Sequence, residues 1–185
     1  AAQHIASVLA AGKNKFHVAR LEDVLFKTPF KFYRNEPRHI LWKALPVHER
    51  GELVVYVTLE STFAYHAREP EKMEHFCGKV YLELQHKHPA ITVEPPDWKH
   101  EARTVNAEDI YRLYFHGPTF RVLEAVQVSG DLILGKLNRD LPSLTAVSQG
   151  TVTNPILLEL CFQTAGVWEI GQNGVLSLPH SIGEI

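Results

Sequence analysis

Cysteine is scarce in these 185 residues, with Cys77 and Cys161 the only two. Both stand among apolar neighbours, too sparse for a disulfide framework and without metal-ligand spacing, so a reducing compartment, the cytoplasm, is the expected location. Long hydrophobic runs are missing as well. No apolar stretch approaches the length of a membrane span and no signal peptide is visible, so no membrane partner is expected. An excess of one charge is also missing: 19 Lys and Arg stand against 21 Asp and Glu, a formal net charge of -2. That balance argues against a general nucleic-acid binder. What is left, 45% apolar and 22% charged residues, is ordinary for a globular protein of one large domain or two small ones. The eleven histidines are scattered. His86 and His88 could ligate a metal, but no third ligand stands at a suitable spacing, so no metal is expected.

Against these absences, one stretch stands out: Thr153 to Ile170, TNPILLELCFQTAGVWEI. Asn154 is a good helix N-cap and Pro155 suits the first helical position, so the spacing predicts a helix to about Gly171. Most of its residues are apolar, and a helix apolar nearly all round is expected to be buried, with Cys161 in the core rather than acting as a nucleophile. Glu159 and Gln163 lie one turn apart on one face, and Gly166 continues it. Two readings stay open for them. In one, the pair is a narrow wet stripe on a helix that otherwise lies on a sheet. In the other, it faces an apolar cleft, where desolvation favours the protonated acid and lets it donate to a leaving group.

The rest of the chain reads as strands around helices. Residues 1–12 look like the back half of a helix ending at Gly12, and His4 in it is expected to be structural. Residues 16–33 read as one strand or two, broken near Pro29. His39 to Val47 and Glu52 to Glu60 are expected as antiparallel neighbours joined through HERG, and Met73 to Leu84 as another strand. Residues 85–100, rich in Pro and polar side chains, read as a linker. A short helix is expected at Ala107 to Leu113, then two strands around a Ser-Gly turn, then a polar loop before the apolar helix. Both ends of the chain look abrupt, so the fold is expected to be incomplete at both ends. Each half holds one apolar helix and several antiparallel strands.

Tyr114 to Arg121, YFHGPTFR, followed by Asn154-Pro155, then Leu157-Leu158-Glu159 with Gln163, resembles the second half of a polyketide synthase dehydratase domain, of a kind also found in polyunsaturated-fatty-acid-type synthases. That family carries a Tyr/His-Gly-Pro-x-Phe segment ahead of a Pro-x-Leu-Leu-Asp-x-x-x-Gln helix. ARLEDVLFKTPFKFYRNEP and LPHSIGEI are similar to the family too, so the resemblance spans nearly the whole chain.

The resemblance implies an α+β double hot-dog fold, two long helices each wrapped by an antiparallel sheet. It divides the chain into a first half at 1–88, a linker at 89–104 and a second half at 105–185. The implied reaction is dehydration of a 3-hydroxyacyl chain on an acyl carrier protein to a 2,3-enoyl chain, a lyase step of polyketide or fatty acid biosynthesis. Glu159 would be the general acid and Gln163 its orienting partner; Glu in place of the family's Asp keeps the acid chemistry. Tyr114, His116, Gly117, Pro118, Phe120 and Pro155 would contact or shape the substrate tunnel, His116 by shaping it rather than as a base. The family's base sits in a His-x-x-x-Gly-x-x-x-x-Pro motif. None of the eleven histidines has Gly four residues on, so the base is expected upstream of Ala1. No cofactor is implied beyond the carrier's phosphopantetheine, which bears the thioester; the implied partners are the carrier, other domains of a multienzyme megasynthase, and a second copy in a homodimer. The alternatives are a catalytically silent dehydratase-like docking domain, or another hot-dog acyl-thioester enzyme such as a thioesterase or product-template-like cyclase.

Overall fold

At Arg50-Gly51 the backbone takes φ of 50° and 87°, left-handed at both residues. A two-residue turn of that hand matches the twist of the strands it joins. It therefore closes β2 (Ile40–Glu49) directly onto β3 (Glu52–Phe63), with Glu49 opposite Glu52 and Ile40 opposite Ser61. The computed structural model describes residues 16–31, 37–63, 71–84, 94, 97, 102–142 and 153–185. The expected first helix and His4, the histidines at 86 and 88, and most of the expected linker and polar loop lie outside the described residues.

The chain divides into two units, Ala1–Ala90 with Pro179–Ile185, and Ile91–Leu178. In the first, β3 pairs with β4 (Glu71–Glu83), β4 with β1 (His17–Phe26), and β1 with β8 (Ser181–Glu184), all antiparallel, giving the order β2-β3-β4-β1-β8. Val18, Val55, Val57, Val80 and Leu82 form its buried cluster, with Phe16, Leu21 and Leu53 packed on it. Each such side chain contributes about 1.5–3 kcal/mol when taken out of water. A polar pin stands beside them. His75, fully buried, has Nε2 2.7 Å from Ser61 Oγ and Nδ1 2.9 Å from the Thr28 carbonyl, so both ring nitrogens are satisfied. The position of β8 departs from the sequence reading, which grouped residues 179–185 with the second half. Leu21 and Ile185 exchange two backbone hydrogen bonds at 2.9 Å. Those ladder bonds hold the segment in the first unit, whatever its neighbours in sequence.

The second unit is a three-stranded antiparallel sheet, β5 (Arg103–Asn106), β6 (Leu123–Ser129) and β7 (Leu132–Leu137), with helices α1 (Ala107–Leu113) and α2 (Pro155–Asn173). β5 begins inside the stretch expected as linker. A single 3₁₀ turn, Pro118–Phe120, stands between α1 and β6. α2 starts as the sequence predicts: Ile156 and Leu157 donate their backbone N–H groups to Asn154 Oδ1 at 3.0 and 3.4 Å, and Pro155 takes the first turn. It ends at Gly174, whose φ of 67° only glycine adopts cheaply.

Leu160, Val167 and Ile170 of α2 pack on the core formed by Ile110, Tyr114, Leu123 and Val126. The approach of helix to sheet is close at one point. A Cβ on Gly135 of β7 would fall 2.0 Å from Thr164 Oγ1 and 3.1 Å from Thr164 Cβ. Only glycine fits there. The opposite face of α2 corrects the expectation of an all-round buried helix: Leu157, Cys161, Ala165 and Trp168, spaced by a helical turn, are exposed, and Cys161 is not core. Hydrophobic periodicity says that a helix is greasy; it does not say which face meets the sheet.

Candidate active site

The one fully buried residue of α2 is polar. Gln163 is 2% exposed, and its amide is saturated. Oε1 accepts a hydrogen bond from the Tyr111 hydroxyl at 2.7 Å. Nε2 donates to the Phe120 carbonyl and to Glu159 Oε1, both at 2.8 Å. Its backbone carbonyl accepts from the Tyr114 hydroxyl at 2.9 Å. Burying an amide without partners costs several kcal/mol, about 2–7 depending on the reference, so this set of bonds is what makes the position tolerable.

α1 and its C-cap supply two of those partners: Tyr111 lies in the last turn of the helix, and Tyr114, the C-cap residue, follows three residues on. The Leu123 backbone N–H donates to Tyr111 Oη at 2.8 Å, fixing the ring. Burial raises the Tyr111 pKa, opposed in part by that N–H, and pushes Tyr114 up to about 12. Both phenols therefore keep their protons and act as donors. Tyr114 reaches the helix only because Gly166 has no side chain: a Cβ there would lie 2.5 Å from the Tyr114 hydroxyl.

Glu159 stands one turn before Gln163, with its side chain 24% exposed. Its Oε1 receives the Gln163 amide and lies 3.0 Å from His116 Nε2, an ion pair when the imidazole is protonated. The Gln163 hydrogen bond falls on Oε1, and among the described residues no hydrogen bond reaches Oε2. His116 is held by its surroundings. Its carbonyl accepts from Arg121 Nε at 3.1 Å, its ring stacks on Phe115 at 4.7 Å between centroids, and Tyr114 lies tilted against it at 5.4 Å. His116 Nδ1 is buried without a partner among the described residues. Gly117 leads into the 3₁₀ turn, whose Phe120 N–H bonds the Gly117 carbonyl at 3.0 Å, so Pro118 and Phe120 set the path that carries the Phe120 carbonyl to Gln163.

The arrangement thus joins a carboxyl group, an amide that only donates to it, and an imidazole, all within the second unit. That set can hold and move a proton at Glu159. Among the described residues, no group of three or more His, Cys, Asp or Glu could hold a metal ion, and no helix is long and apolar enough to cross a membrane. Sequence reasoning found Glu159 and Gln163 as a pair and named Tyr114, His116, Gly117, Pro118, Phe120 and Pro155. The structure brings Glu159, Gln163, His116, Tyr114 and the Phe120 carbonyl together; Pro155 stays at the helix start. Tyr111, Arg121 and the direct meeting of His116 with Glu159 were missed. The three-residue spacing of Tyr111 and Tyr114 was the signal for the first.

The chain is similar to solved dehydratase domains: a trans-AT polyketide synthase dehydratase domain from Brevibacillus brevis (19% identity, TM-score 0.66, covering 98% of this chain and 63% of that one). The dehydratase domain of the CurF module of the curacin polyketide synthase follows at 15% identity and TM-score 0.64, covering 99% and 64%. The dehydratase domain of RzxB from Pseudomonas fluorescens follows at 16% and 0.61, covering 100% and 67%. The chain thus spans about two thirds of the length of these domains. Likeness at this level of identity shows the fold, the α+β double hot-dog. No curated protein matches the sequence. The model of the family described as polyketide synthase dehydratase N-terminal domain matches residues 93–185, which include every residue of the site. By that match, over half of its length, the chain belongs to the polyketide synthase dehydratase family.

Proposed function

We propose that this chain carries the acid half of a dehydratase site, which removes water from a 3-hydroxyacyl thioester to leave a 2,3-alkene during polyketide synthesis. The observation that carries the reading is the bond from buried Gln163 to Glu159 at 2.8 Å, within the residues that match the family.

The C2 proton of a thioester is weakly acidic and hydroxide is a poor leaving group, so elimination needs a base and an acid on one substrate. A histidine base takes the C2 proton. The C2–H electron pair becomes the C2=C3 bond as the C3–O bond breaks, and protonated Glu159 gives its proton to the departing oxygen, which leaves as water. Glu159 is left as carboxylate and is reprotonated before the next turnover. Gln163 holds the carboxyl group, while His116, Gly117, Pro118 and Phe120 shape the wall along which the acyl chain lies and Tyr114 supports it from behind. The substrate arrives on the phosphopantetheine of an acyl carrier protein, and the chain works among the other domains of a synthase, paired with a second copy.

The test is dehydration of a carrier-bound 3-hydroxyacyl chain by the whole synthase protein, with Glu159→Gln as the variant. General acid catalysis is worth about 100 to 10,000-fold, and a loss of that size is expected. A Glu159→Gln protein that dehydrates at the parent rate overturns the reading.

A further inference from the structure

Each hydrogen bond around Gln163 has a direction that can be followed outward from the backbone. The Leu123 N–H can only donate, so Tyr111 Oη accepts it. The Tyr111 proton then goes to Gln163, which fixes the near atom of the amide as Oε1. On its far side the amide meets the Phe120 carbonyl, an acceptor, and Glu159. While Glu159 is a carboxylate, a flipped amide would set oxygen against oxygen twice. Once Glu159 is protonated, only the Phe120 contact opposes the flip on that side, because Gln163 Oε1 could then accept the acid proton itself. The Tyr111 hydroxyl is the group that holds Oε1 on the other side.

We propose that Tyr111 is a positioning residue that prevents the Gln163 amide from turning its oxygen to Glu159. In the orientation it enforces, Glu159 Oε1 is occupied by the Gln163 N–H and faces His116 Nε2, and the acid proton resides on Oε2, the oxygen that receives no hydrogen bond among the described residues. The proton is then available to a leaving oxygen rather than shared with an amide. This deepens the dehydratase reading and rests on it for its catalytic consequence, while the amide orientation stands on geometry alone. The retained phenol proton is consistent with the burial of Tyr111, which raises its pKa.

The experiment uses the whole synthase protein labelled with 15N-glutamine, the Gln163 side-chain amide being identified as the signal lost in Gln163→Met. In Tyr111→Phe both amide proton resonances should move. The dehydration kcat should fall by about 10-fold, the upper end for one neutral hydrogen bond, with KM within about twofold. In a Gln163→Met background the same Tyr111→Phe change should lower kcat no further, because no amide is left to orient. Unmoved amide resonances overturn the proposal. So does a full additional fall in the Gln163→Met background, which would make the hydroxyl a support for the Leu123 N–H only. A Glu159→Gln protein of parent activity sinks the dehydratase reading instead, and the amide resonances still decide the role of Tyr111.

Discussion

Gly166 is a test of whether the site is held by the contact between α1 and α2. Replacing it with Ala puts a methyl group 2.5 Å from the Tyr114 hydroxyl, while the next nearest atom, Tyr114 Cζ, stands at 3.5 Å, an ordinary contact. The whole conflict is with one oxygen. Tyr114 is buried and cannot swing into solvent, so the ring must shift and the bond to the Gln163 carbonyl is lost. Overpacking costs about 1–3 kcal/mol and the lost hydrogen bond about 1 kcal/mol. Helix propensity returns about 1 kcal/mol, since Ala replaces Gly in a helix interior. The net expectation is destabilisation by about 1–3 kcal/mol. In Tyr114→Phe the obstructing oxygen is gone, and the same Gly166→Ala step should stabilise by about 0.5–1 kcal/mol. Equilibrium urea unfolding of the four proteins in this double-mutant cycle measures the coupling. If Gly166→Ala destabilises equally in both backgrounds, the Tyr114 hydroxyl is not the reason for glycine and the reasoning fails.

Two further outcomes follow from the same structure. Tyr114 titrates at about 12 when folded against about 10 for a free tyrosine, so the folded chain holds the proton more tightly: its contribution is complete below pH 10 and is lost as pH rises toward 12, with a slope of at most about 1.4 kcal/mol per pH unit. Urea titrations across that range should show a steeper slope for the parent than for Tyr114→Phe, in which only the other raised tyrosines remain; an unchanged slope in the variant would assign it elsewhere. At the β2–β3 turn, Arg50→Asn should stabilise by a few tenths to about 1 kcal/mol, because Asn tolerates the left-handed backbone at φ 50° that Arg adopts under strain; thermal unfolding checks it, and a lower midpoint would contradict it.

The sequence was most legible where local chemistry acts alone. Asn154-Pro155 starts α2 by capping and Glu52 to Glu60 lies in a strand, both as expected, whereas the helix runs past its expected end at Gly171 to the left-handed cap at Gly174. Glu159 and Gln163 were legible as a pair because helix geometry brings residues four apart together. Burial was not: Gln163 is inside and Leu157 and Trp168 are outside, the reverse of what side-chain hydrophobicity suggests, because the partners that satisfy the amide come from residues about 40 to 50 positions away. The meeting of His116 with Glu159, 43 positions apart, was hidden for the same reason. The partner of β8 could not be read either, since an edge of a sheet accepts any strand of suitable pattern.

That last pairing bears on the order in which the chain can assemble. The ladder between β1 and β8 joins residues near 22 to residues near 184, and the whole second unit lies between them in sequence. As the polypeptide leaves the ribosome, β1 emerges early and pairs with β4, yet among the described residues the mate of its other edge comes only when Ser181 has been made. Loop-closure entropy grows only with the logarithm of loop length, so the late pairing is affordable at equilibrium. In time it is the more exposed step. During synthesis of the intervening residues, β1 offers an open row of backbone donors and acceptors, and the second unit can complete its own sheet before the first does.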